Sequence, residues 1–309
     1  MTQTFRTVIS IALGLLVTVS FNTQAQTPPR YLTLSPPDGF PVIPVLEGWV
    51  RNDDGSRTLI FGYINRNNVD VDVPVGENNY IEPAEFNGMQ PEHFQSGRGP
   101  QVFSVVLPPD RADEDVWWYI RSGESMELLK VPGRARDGAY ELDFERPRPQ
   151  GALRPTVGVG EDGEQAGGNM AVIANYPRTV RVGERVELAV NATDPSERDP
   201  TDPRFQEPLD LGVHWAKHQG PGDVTFSLHP DSPAPENPYN ERDPRYARWE
   251  VDPKEGVIEA GDGVAKVWAS FSAPGEYLIR TLVENWTAPD SSQGDQCCST
   301  NVFQRVTVR

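Results

Sequence analysis

Along most of the chain, apolar residues fall on alternate positions, and no long stretch spaces them as a helix would. Alternation places every second side chain on one face of an extended strand, so the pattern predicts half-buried β-strands. Leu59, Phe61 and Tyr63 share one face, with Ile60 and Ile64 on the other. Before them, Asn52-Asp53-Asp54-Gly55-Ser56 is a hairpin signal between two strand-like runs. Phe103, Val105 and Leu107 alternate in the same way. So do Val116, Trp118 and Ile120, which lead into a Ser-Gly-Glu-Ser turn and a further strand. Turn signals recur roughly every 8–15 residues, the rhythm of an antiparallel sandwich. This first module is placed at residues 31–144. Residues 145–170 break the rhythm. They are rich in Pro, Gly and charge, carry almost no alternation, and read as a linker.

A second module follows at 171–309. Val186, Leu188 and Val190 point one way, as do Val267, Ala269 and Phe271; Tyr277, Ile279 and Val283; and Val302, Val306 and Val308. Two more strands flank the turn Gln219-Gly220-Pro221-Gly222, and a first strand is expected near Ala171 to Ala174. Seven strands make one immunoglobulin-like sandwich. The fold expected is therefore all-β: two immunoglobulin-like antiparallel β-sandwiches joined by a Pro/Gly-rich linker.

Some of these residues form a more specific pattern. Trp215, Lys217, Gly220, Pro221, Gly222, Val224 and Phe226 are followed by Phe271, Ser272, Pro274, Gly275, Tyr277 and Arg280, then by a terminal Val-Thr-Val-Arg. In this the second module resembles the PKD-type (polycystic kidney disease) domain of bacterial secreted proteins. It departs from that pattern in its long inserts and its Cys-Cys pair. The first module, from Gly48-Trp49-Val50 through Asn78-Asn79-Tyr80 to Gln90-Pro91-Glu92, resembles an uncharacterised module of secreted bacterial proteins. Both resemblances imply extracellular sandwiches used for spacing, adhesion or binding, not catalysis. The matched residues also have structural work. Gly220-Pro221-Gly222 makes a tight turn, and Tyr277 stands two residues past Ala273-Pro274-Gly275, where a tyrosine corner belongs.

With the second module's strands lettered A, B, C, C′, E, F and G, loops alternate between its two ends. The B–C loop (193–210), the C′–E loop (231–263) and the F–G loop (287–300) then share one end and hold the inserted length. Long loops on a rigid scaffold are commonly functional. Tyr239, Tyr246, Trp249 and Trp286 lie in or beside them. Flat rings stack on sugars or peptides; the same rings also serve to pin an insert to the sandwich. Asp194, Asp199 and Asp202 lie in the B–C loop, and Asp290 and Asp295 in the F–G loop. Carboxylates with backbone carbonyls suit Ca²⁺, although no EF-hand spacing is present and a solvated acidic loop has the same composition. No other cofactor is expected.

Composition adds the compartment. The N-terminus has Arg6, an uncharged apolar stretch from Val8 to Phe21, and Thr23-Gln24-Ala25 where a signal peptidase would cut. Residues 1–25 read as a secretory signal peptide, too short to span a bilayer. No cysteine follows the cut, so a lipoprotein-type anchor is not expected, and no later stretch is apolar enough to cross a membrane. Export to the periplasm, cell surface or medium follows. The net charge of −17 argues against nucleic acid and anionic lipid as partners. Cys297 and Cys298 are the chain's two cysteines. In an oxidising compartment they are expected to form a vicinal disulfide, which closes a minimal loop and so marks a loop tip rather than stapling the fold; two free buried thiols at the start of strand G, or pairing to another chain, are the other readings.

Four histidines, His93, His214, His218 and His229, stand in no metal-binding or catalytic motif. A non-enzyme is expected. It would bind a polysaccharide or protein through the long-loop end, with Cys297, Cys298, Trp286, Trp249, Tyr246 and Tyr239 as contacts. The other reading is a structural or assembly component of a periplasmic or surface complex.

Overall fold

The computed structural model describes residues 39–142, 151–291 and 298–309. The expected signal peptide, Asp295 and Cys297 lie outside them. The strands come from the alternating runs. In the first module, β1 (Ile43–Arg51), β2 (Arg57–Asn65), β3 (Val71–Asp72), β4 (Asn79–Glu82), β5 (His93–Phe94), β6 (Gly97–Leu107), β7 (Val116–Ile120) and β8 (Leu129–Gly133) follow in order. They form sheets β1-β2-β6 and β4-β7-β8 and a short β3-β5 ladder. The turn between β1 and β2 is held by Asp54, whose Oδ1 accepts from Ser56 N–H and Oγ–H at 2.9 and 2.6 Å, with Gly55 at φ 83°. The inward set packs as one core. Phe61 stacks on Phe103 at 5.1 Å, and Trp118 meets Phe103 edge-on at 5.0 Å.

The second module contains β9 (Thr156–Val159), β10 (Val172–Asn175), β11 (Val186–Thr193), β12 (Leu211–Gln219), β13 (Val224–Leu228), β14 (Glu255–Ile258), β15 (Asp262–Phe271), β16 (Gly275–Glu284) and β17 (Ser299–Val308). One sheet runs β13-β15-β11-β9 and the other β10-β17-β16-β12-β14. Their facing sides enclose Val186, Leu188, Val190, Trp215, Val267, Phe271, Tyr277 and Val306. This is an immunoglobulin-like sandwich.

Three local differences from the sequence reading have physical causes. Val224–Leu228, expected as C′ in a hairpin with strand C, pairs instead with β15 in the opposite sheet. The Gly220–Gly222 turn crosses between the sheets around the Tyr277 ring. A Cβ on Gly220 would lie 2.3 Å from Tyr277 Cδ1, while the Tyr277 hydroxyl donates to Ala273 O at 2.9 Å. Residues 255–258, expected within a loop, take the vacant edge of β12. The expected linker 145–170 supplies β9, which pairs with β11 through Val190↔Val159 to Thr193↔Thr156.

The two modules are also wired together. Glu92 N–H donates to His218 O at 2.8 Å, and Gln219 Nε2 donates to Gly88 O and Gln90 O at 2.9 and 2.7 Å. Asn301 Nδ2 donates to Gln101 O at 3.0 Å. Gln101 is presented at φ 52°, a left-handed conformation that costs a non-glycine residue about 1 kcal/mol. Arg280 is enclosed at this junction. Burial lowers its pKa, and the nearby Tyr63 opposes that shift.

Candidate functional site

The predicted B–C and F–G loops do meet. Thr193 pairs with Asp262 and Glu284 with Ser299, which puts the ends of β11 and β16 and the starts of β15 and β17 at one end of the sandwich. Asp194 is turned back by its own Oδ1, which accepts from Ser196 N–H and Oγ–H at 3.0 and 2.6 Å. Its Oδ2 pairs with Arg198 Nη1 at 2.7 Å, and Arg198 Nε pairs with Asp290 Oδ2 at 2.8 Å. The Asp194 and Asp290 side chains are 5% and 3% exposed, so one guanidinium bridges two buried carboxylates from different loops. Burial alone would lower the pKa of Arg198; its bonds to Asp290 and Asp194 outweigh that and raise it. Arg198 Nη2 and Asp290 Oδ1 are buried without a hydrogen-bond partner.

Asn285, fully buried, ties the F–G loop down. Its N–H donates to Cys298 O at 3.1 Å, and its Nδ2 donates to Leu153 O at 2.8 Å. Cys298 is also fully buried, against Ala152 and the half-buried Trp286. It carries no free thiol. Trp286 N–H donates to Glu284 Oε2.

The other candidate residues are placed differently. The long insert leaves β13 after Leu228, which pairs with Val267, and rejoins at Glu255, level with His214. It is thus anchored along the side of the sandwich, from the edge strand of one sheet to that of the other. Ser232 Oγ accepts from Lys266 N–H at 2.6 Å, and Lys254 O accepts from Trp215 N–H at 2.8 Å. Tyr239, Tyr246 and Trp249 belong to this segment. The Arg245 guanidinium lies 4.2 Å from the Tyr239 ring centroid, Asn237 Nδ2 donates to Tyr246 O at 3.1 Å, and Tyr246 is 40% exposed.

Of the candidate metal ligands, Asp194 spends both oxygens on Ser196 and Arg198. Asp199 accepts from Thr201, which lowers its pKa, and Asp202 is forked by Arg204, which does the same. Among the described residues, no group of three or more His, Cys, Asp or Glu side chains is arranged to hold a metal ion. Sequence reasoning missed Arg198 and Asn285. Arg198 is the one cation in Asp194-Pro-Ser-Glu-Arg-Asp, and that was the available signal.

No protein-family model matches the chain, and no curated protein matches it. Solved structures that align with it include the D0-D1 domain of intimin, at 11% identity and a TM-score of 0.22 over 87% of this chain and 100% of that one. CfaE, the adhesive subunit of the CFA/I fimbria of enterotoxigenic Escherichia coli, aligns at 8% identity and 0.22 over 87% of each chain. CBD12 from CALX1.2 aligns at 13% identity and 0.18 over 85% of this chain and 99% of that one. Scores this low carry no argument about topology or activity; the all-β class rests on the strands described above. No helix among the described residues is long and apolar enough to cross a membrane.

Proposed function

We propose that the protein is an exported, non-catalytic binding or adhesion protein that contacts a polysaccharide or protein partner at the loop end of its C-terminal sandwich. The observation that supports this most is the Asp194–Arg198–Asp290 bridge. It braces two long loops against each other, and pre-ordered loops lose less entropy on binding. Trp286 supplies a partly accessible ring beside the braced loop, and Tyr246 and Trp249 a second aromatic surface on the insert. The pattern of residues 215–226 and 271–280 that resembles PKD-type domains fits the same role. Cys298 is fully buried beside the start of β17, so the cysteine pair would fix the base of the F–G loop, and Cys298 is not available as the ligand contact expected of it.

The test is a glycan array and a surface-protein pull-down with the mature chain, repeated with Trp286→Ala and Tyr246→Ala. Loss of a captured ligand in Trp286→Ala supports the reading, whereas loss confined to Tyr246→Ala places the contact on the insert along the side of the sandwich. Ligand capture that survives both substitutions places the contact elsewhere. The docking of the two modules favours a second reading, a spacer within an assembled complex. Stoichiometric co-purification without any ligand-induced melting shift would select it.

A further inference from the structure

Alternation along β7 turns Val116, Trp118 and Ile120 into the first module's core and sends Trp117 and Tyr119 outward. Arg121 continues the outward set one residue past the strand, where its N–H still donates to Asn78 O at 2.8 Å. Alternation assigns it to solvent. It is half-buried instead, because residues 72–78 lie alongside it and enclose a cavity of about 400 Å³ with the 121–124 turn. Both walls are tied down. Val73 N–H donates to Glu92 O at 2.7 Å, Val75 N–H to Glu92 Oε1 at 2.9 Å, and Asn79 Nδ2 to Val73 O at 2.9 Å. Opposite them, Ser122 Oγ accepts from Val42 N–H at 2.9 Å, and Met126 N–H closes the turn on Gly123 O at 3.0 Å. A volume of this size with its walls already ordered falls in the range of small-molecule sites.

The charges lining the cavity are largely unspent. Arg121 Nε is buried without a hydrogen-bond partner, and among the described residues no carboxylate pairs with its guanidinium. A desolvated donor left unpaired is a cost that an incoming acceptor removes. Against this one cation, Asp72, Glu77 and Glu124 line the same cavity. Asp72 Oδ1 already contacts His93 Nδ1 at 2.9 Å and Lys217 Nζ at 3.0 Å. Glu77 and Glu124 are exposed and, among the described residues, unpaired. A simple anion would satisfy Arg121 and be repelled by the two glutamates. A simple cation would be repelled by Arg121. A small molecule with opposite charges at its two ends fits both. Val73, Pro74 and Val75 add an aliphatic side to the cavity.

We propose that this cavity binds a short peptide with free ends. Its C-terminal carboxylate is taken by Arg121, its α-ammonium by Glu77 and Glu124, and an aliphatic side chain by Val73 and Val75. The site belongs to the first module and owes nothing to the loop end of the second.

Titration calorimetry of the full mature chain with alanyl-leucine tests it, against alanyl-leucinamide, which lacks the carboxylate, and N-acetyl-alanyl-leucine, which lacks the ammonium. Alanyl-leucine is expected to bind at one site, and each blocked form at least about tenfold more weakly, the scale of one charge-assisted hydrogen bond. Arg121→Gln should weaken alanyl-leucine by about tenfold or more and abolish its advantage over the amide. Glu77→Gln combined with Glu124→Gln, both at exposed positions, should abolish its advantage over the acetylated form and keep its advantage over the amide. A variant that merely loosened the fold would not exchange one preference for the other in this way. Absence of alanyl-leucine binding, equal binding of either blocked form, or unchanged preferences in the variants would overturn the proposal.

Discussion

His218 is buried at the junction of the two modules, where Nε2 contacts Met89 O at 2.8 Å and the ring meets Phe303 edge-on at 5.0 Å. Burial lowers its pKa to about 3; the Met89 carbonyl opposes the shift and the Arg280 charge adds to it. In the unfolded chain the imidazole returns to about 6.5, its ordinary value. Between those values unfolding takes up a proton, so stability is fully present above about pH 6.5 and falls as pH drops toward 3. At about 1.4 kcal/mol per pH unit, moving from pH 7 to near 4.5 should cost roughly 2–3 kcal/mol through this one side chain. His218→Gln keeps an N–H donor for Met89 and cannot titrate. Urea denaturation of both proteins at the two pH values isolates the effect, because the carboxylates they share cancel in the difference. The native protein should lose roughly 2–3 kcal/mol more than His218→Gln. Equal losses would mean that the imidazole accepts its proton in the folded state and would refute the reasoning.

Three further substitutions probe features described above. Arg198→Ala leaves the Asp194 and Asp290 carboxylates buried without their cation and should cost about 3–5 kcal/mol in urea denaturation, with faster proteolysis of the 193–210 loop. Gly220→Ala drives a Cβ into the Tyr277 ring at φ 135° and should cost at least about 2 kcal/mol, read as a lower thermal midpoint. Arg280→Met replaces an enclosed charge whose hydrogen bond to Asn301 Oδ1 is long, at 3.4 Å, with an apolar chain of similar length; stability should be unchanged or higher, and a loss above about 2 kcal/mol would show that the charge itself holds the junction.

The strands were legible because each buried face is written as alternation: Leu59-Phe61-Tyr63 and Val267-Ala269-Phe271 state their inward faces outright. Sheet membership was not. Val224–Leu228 follows a short Gly-Pro-Gly turn, and such a turn serves a hairpin and a crossing between sheets equally well; the choice is made by the Tyr277 ring, more than fifty positions away. The four residues of β14 and the Thr-Val-Gly-Val of β9 are too short to display a period and were absorbed into a loop and a linker. At the loop end, the aromatic and acidic residues were visible as types, but the bridge through Arg198 joins positions 194 and 290, which local patterning cannot connect. The covering of the first module's outer face left one trace, Ile60, an apolar residue that is buried on a face that alternation assigns to solvent.

The parallel pairing of β10 with β17 bears on mechanics. From Gly168 to Val182 the chain runs alongside 301–309. Ala171, Tyr176, Val180 and Val182 N–H donate to Asn301, Arg305, Thr307 and Arg309 carbonyls, and the N–H groups of Asn301 and Arg309 return bonds to Gly168 and Val180. A pull applied ahead of Gly168 and at Arg309 drags these two segments past each other lengthwise. The bonds along the seam are then loaded together instead of opening one by one like a zipper. Tension along the chain therefore meets its stiffest resistance at the C-terminal strand, and a tether fixed at Arg309 would carry load without first peeling the sandwich apart.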